Sequence, residues 1–122
     1  MPVRIKSKTR LQSSVTPSAL NTETNIINLG DQTDDFILEG FISLQNMASG
    51  DTVVLRTYVA VDGTNQYKTD EVTVSGAPAI PVLRIPATTL AYNGKPRITV
   101  TQTAGTLRAF PYTIIIQQME VI

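Results

Sequence analysis

The chain has 122 residues, 42% of them hydrophobic, with ten basic and ten acidic side chains and no cysteine, histidine or tryptophan. A chain of this length builds one core without staples. The missing cysteine excludes disulfides and thiol chemistry, and the missing histidine removes imidazole bases, haem ligation and nucleophile–histidine triads. No apolar run approaches the roughly 20 residues of a membrane helix, and no apolar stretch follows the N-terminal charges as it would in a secretory signal. A non-enzymatic protein with no cofactor and no membrane span is therefore the expectation.

The zero net charge hides an asymmetry. Arg4, Lys6, Lys8 and Arg10 lie in the first ten positions, which hold no acid, so residues 11–122 carry six basic against ten acidic residues. The four cations recur at every second position. In an extended segment they project from one side and Val3, Ile5 and Leu11 from the other. Ser13, Ser14, Thr16 and Ser18 continue this segment without a strand pattern. Residues 1–22 are read as a basic, Ser/Thr-rich arm or extended segment and residues 23–122 as the folded body. Such an arm suits addition as a strand to an acidic neighbouring subunit, or contact with nucleic-acid phosphates through counterion release. The plain alternative is a solvated terminus. Four charges without interleaved aromatics put subunit contact ahead of nucleic acid.

Further along, 17 Thr, 11 Val and 12 Ile come in short runs broken by Gly, Pro and Asn, which is strand composition. A short strand is expected near Ile26–Leu29. Asp35–Gln45 alternates Phe36, Leu38, Ile42 and Leu44 against Glu39 and Ser43. Residues 51–75 read as a hairpin around the turn Asp62-Gly63-Thr64-Asn65, with Val53, Leu55, Thr57, Val59 and Val61 inward and Arg56 and Tyr58 outward. Prolines 81 and 86 mark Ile80–Ile85 as an edge strand. Arg97–Gln102 turns Ile98 and Val100 inward, and Ala104-Gly105-Thr106 is read as the turn of a second hairpin onto Leu107–Val121. Ile114, Ile115 and Ile116 make that last strand apolar on both faces, as expected of a strand central in a sandwich or covered by another subunit. Seven or eight strands at such spacing predict an all-β antiparallel sandwich, jelly-roll-like in preference to immunoglobulin-like because the cysteine pair and tryptophan of the latter are absent.

Little in the sequence carries catalytic chemistry. Asp34, Asp35 and Glu39 are the carboxylates a histidine-free hydrolase could use, but Asp34-Asp35 also suits a turn. Asp70 and Glu71 are adjacent in a strand and face apart. The loop Asp31–Asp35 lacks the ligand spacing of a calcium site. The seven glycines form neither a G-x-G nor a G-K-[ST] motif, against nucleotide binding. Tyr58 and Tyr67, if cross-strand neighbours, would make the aromatic platform of a ligand-binding or carbohydrate-binding sandwich, or simply a sheet-stabilising pair.

A basic, Ser/Thr-rich N-terminal segment ahead of a small Thr/Val/Ile-rich body, free of cysteine and histidine and ending in a long apolar strand, resembles the small β-sandwich structural and accessory proteins of phage and virus particles. The resemblance implies a virion component, capsid, capsid-accessory or tail protein, that assembles as a symmetric homo-oligomer, with itself and other particle proteins as partners and contacts through the arm and the last strand.

Overall fold

The computed structural model describes residues 2–121. Eight antiparallel strands run in chain order: β1 (Val3–Val15), β2 (Thr24–Asn28), β3 (Phe36–Ser43), β4 (Thr52–Val59), β5 (Tyr67–Ser75), β6 (Val82–Leu90), β7 (Arg97–Ala104) and β8 (Phe110–Val121). They form two four-stranded sheets, β1-β8-β3-β6 and β2-β7-β4-β5. The chain passes from one sheet to the other at every connection except β4–β5, the one hairpin among the described residues. Two interleaved Greek keys of this kind make a jelly roll, the topology expected. No described helix is long and apolar enough to cross a membrane.

The core lies between the sheets. Phe36, Leu38, Ile42, Ile114, Ile116 and Phe110 from the first sheet meet Val53, Leu55, Ile98, Val100 and Ile27 from the second, all of them buried. Period two delivers these residues, because each strand sends alternate side chains to one face. Where the alternation slips, a bulge is found. Pro86, which has no N–H to donate, sits at the irregularity where Leu38 pairs with Thr88 and Gly40 with Ile85, as prolines in edge strands do.

Two sequence expectations are corrected here. Leu107–Val121 was expected to fold back on Arg97–Gln102, but β7 and β8 belong to different sheets. Residues 104–109 are a corner between the sheets rather than a hairpin turn. Gln102, buried, organises this corner: its side chain donates to Ala104 O and Thr106 O and accepts from Arg108 N–H. The buried Asp51 carboxylate accepts from the Thr106 and Ala48 N–H groups and from Arg108 Nε. The second correction concerns Val61, expected inward but lying past the end of β4 and 93% exposed. Residues 3–15, within the stretch read as an arm or extended segment, are strand β1, paired with β8 along its length apart from the bulge at Lys6.

Candidate functional site

Because β1 is an edge strand, one side of its backbone is unpaired, and its side chains are exposed except at Leu11 and Val15. The four cations do not share one face. A bulge between Ile5 and Ser7 takes Lys6 out of register, so Arg4 stands opposite Glu120 while Lys8 stands opposite Gln117 and Arg10 opposite Ile115. Residues directly opposite share a face, and Glu120 and Ile115 lie on opposite faces of β8. Arg4 therefore points to the side of the core and Lys8 and Arg10 to the outside. The same bulge moves Val3 and Ile5 onto the outer face beside Lys8 and Arg10. Two of the four charges are neutralised within the chain, Arg4 by Glu120 and Lys6 by Asp34, each at 2.6 Å. No acidic partner is found for Lys8 or Arg10 among the described residues.

The outer faces of the two sheets differ. On β2-β7-β4-β5 the face is closed by its own ion pairs and hydrogen bonds. Glu23 accepts from Tyr58 Oη at 2.5 Å and Thr99 Oγ1 at 2.6 Å, lies near Arg56 and Arg97, and Arg56 also pairs with Glu71 at 2.7 Å. The Arg97 guanidinium lies 5.0 Å from the centre of the Tyr58 ring, a cation–π contact. Burial would push the Glu23 carboxyl up, but the bonds from Thr99 and Tyr58 and the charges of Arg97 and Arg56 leave it below its ordinary value. The bond from Arg56, with Lys68 beside it, does the same for Glu71. The Ala48 N–H, aided by Arg108 and Thr106 against the cost of burial, lowers Asp51. The bond to Glu23 raises Tyr58.

A pH dependence follows. Carboxyls lowered in the fold stabilise it above their unfolded values and lose that stabilisation as pH falls through the folded ones, whereas a raised tyrosine loses its contribution as pH rises through its folded value. The melting temperature is expected to be level from about pH 5 to about pH 10 and to drop on both sides. A thermal-melt series from pH 2 to pH 11 checks it. A step near pH 6 to 7 contradicts it.

The outer face of β1-β8-β3-β6 is open. Phe41, Val82, Ile5, Val3 and Val121 are exposed there, and the register places Ile115, Met119 and Ile37 on the same face. A hollow of ≈ 460 Å³ lies on it, lined by Glu39, Phe41, Arg84, Pro86, Thr113 and Ile115. Glu39 and Arg84 have no ion-pair partner among the described residues. The doubly apolar run at 114–116 divides as expected: Ile114 and Ile116 fill the core, while Ile115 faces out with no layer above it.

The sequence-derived ligand sites fare differently. Tyr58 lies opposite Lys68, and Tyr67 opposite Val59, so the two tyrosines point to opposite faces of the hairpin and form no common platform. Asp34 is tied to Lys6, and Asp35 accepts the Tyr92 N–H, so the acids at 34–35 hold loops in place. Glu39 stands apart on the outer face. Among the described residues no cluster of three potential metal ligands occurs, and no buried side-chain polar atom lacks a hydrogen-bond partner.

Comparison with known proteins agrees in fold. No protein-family model and no curated protein matches the chain by sequence. Among solved structures, the chain is similar to the infectious bursal disease virus Gx strain structure with TM-score 0.50 and 11% identity over 95% of this chain. Others are the infectious bursal disease virus VP2 subviral particle, TM-score 0.47, 10% identity and 95% of this chain, and a Bacillus endospore appendage from a family of disulfide-linked pili, TM-score 0.48, 15% identity, 94% of this chain and 93% of that one. The chain spans about a third of the length of the viral chains it matches, 32% and 33%.

Proposed function

We propose that this chain is a non-enzymatic structural protein that assembles with copies of itself into a symmetric oligomer, as a component of a virus or phage particle, through β1 and β8. The carrying observation is β1: a thirteen-residue edge strand, exposed nearly throughout, whose outer cations Lys8 and Arg10 have no acidic partner among the described residues. Long exposed edges are templates for pairing with another chain. A second edge of similar character is β5, exposed at every residue except Val74. The other two edges are less suited, since β2 has five residues and β6 contains Pro86. Pairing of β1 from one copy with β5 of the next joins two exposed backbone edges. Such a head-to-tail contact closes into a ring or propagates into a larger array.

Subunit contact is favoured over nucleic acid for the basic residues, because Arg4 and Lys6 are already matched by acids of the same chain, leaving two cations for phosphate. The viral resemblance in fold supports the particle setting. Native mass spectrometry of the full chain and of a chain lacking residues 1–12 tests the reading. The oligomer order is expected to fall on deletion while the far-ultraviolet spectrum stays β-type. A monomer both before and after overturns it.

A further inference from the structure

We infer that the outer face of β1-β8-β3-β6 is a second contact surface, and that its occupant is the same face of another copy, docked about a two-fold axis running along β8 over Ile115. This rests on the assembly reading above but concerns a sheet face, not a strand edge. Three observations carry it.

The first is the charge pattern. Arg10 and Glu39 both stand opposite Ile115, one on each side of it, on the same face and two strand spacings apart, about 10 Å. They do not pair with each other or with any described residue. A two-fold axis parallel to β8 in the plane between two such faces exchanges left and right, so Arg10 of each copy meets Glu39 of the other. The face is complementary to itself, which an isologous contact requires. A two-fold axis across the strands would instead set Arg10 against Arg10, so the charges select the orientation.

The second is the row of side chains on the axis. Ile115, Met119 and Val121 alternate along the outer side of β8 and would meet their own counterparts. Flanking them, Gln12 and Phe41 share the row of Thr113, and Lys8 and Ile37 the row of Gln117. The same axis therefore seats Gln12 over Phe41 of the other copy and the Lys8 stem over Ile37, covering apolar surface with the aliphatic part of a long side chain.

The third is the contrast with the other sheet, whose outer face spends Arg56, Arg97, Glu23 and Glu71 on one another. Among the described residues, only the β1-β8-β3-β6 face combines exposed apolar side chains with unmatched charges of both signs. Across this axis β8 faces β8 and β1 faces β3, and these three strands, about 14 Å across and about 30 Å long, give a footprint on the order of 400 Å², half of what each partner contributes to a standard interface.

Sedimentation-velocity measurements on charge-exchange variants test the inference. In Arg10→Glu, and separately in Glu39→Arg, like charges meet twice across the axis, and the association constant for this contact is expected to fall at least about tenfold. The double variant Arg10→Glu/Glu39→Arg restores the pairing in reversed polarity and should return association to near the wild-type level. Ile115→Lys, which places two ammonium groups on the axis, should weaken it as well. Assembled wild type with association unchanged in both single variants overturns this contact and leaves strand-edge assembly standing. Failure of the folded double variant to recover also overturns it. A wild type that is monomeric throughout overturns the assembly reading itself.

Discussion

Gly40→Val should lower stability by about 3 kcal/mol or more, against a total of about 5–15 kcal/mol for a domain of this kind. Gly40 lies in β3 between β6 and β8, and a Cβ there would run into the carbonyl oxygen of Thr113 and crowd Ile114 Cα. Backbone cannot swing aside as a flexible side-chain tip can, so β3 must part from β8. These strands contribute Phe36, Leu38, Ile42, Ile114 and Ile116 to the core, and the damage reaches its centre. Thermal melts should show a fall of roughly 10 °C or more. Gly30→Ala is the matching control, because nothing lies within 4 Å of its added Cβ. It should melt within a degree or two of wild type. Equal effects at the two glycines would contradict the close approach described at Gly40.

Gln102→Leu is expected to cost about 3 kcal/mol, by stranding buried polar groups rather than by any change in size. The carbonyls of Ala104 and Thr106 lose a shared donor and the Arg108 N–H loses its acceptor, in the corner that carries the chain from β7 to β8. Urea unfolding measures the loss. Gln102→Glu keeps the acceptor for Arg108 and removes only the donors. Its carboxylate faces two carbonyl oxygens at neutral pH, so it should recover part of the lost stability as pH is lowered. A Gln102→Leu variant as stable as wild type would contradict the role given to this side chain.

The parts of the fold that sequence made legible are those decided by local chemistry. The β4–β5 hairpin follows from the Asp62 turn, whose carboxylate accepts the Thr64 and Asn65 N–H groups, and from the inward parity of Val53, Leu55 and Val59. Prolines 81 and 86 marked an edge. What stayed hidden depends on register and on long-range partners. The residues Ala104-Gly105-Thr106 look the same whether the next strand pairs alongside or crosses to the other sheet. The signal that separates the cases is Gln102, a polar residue on the inward parity with Val100 and Ile98, which a plain hairpin would not bury. The bulge at Lys6 was likewise invisible, and with it the division of the four cations between two faces. The period-two pattern of Arg4, Lys6, Lys8 and Arg10 is real in sequence, but one extra residue in the ladder inverts it. The apolar character of Ile115 was legible from the start. Its meaning needed the sheet order, which puts Arg10 on one side of it and Glu39 on the other.

The charge asymmetry also takes a more definite form. Half of the basic segment is absorbed by Glu120 and Asp34, and what remains for a partner is Lys8 and Arg10 on an outer face with Glu39 and Arg84. Self-association is the central claim, and the molar mass of the full chain in solution tests it most directly. Size-exclusion chromatography with light scattering over a range of concentrations should give a mass that is a whole-number multiple of 13.3 kDa. A single species of 13.3 kDa at every concentration would contradict the account.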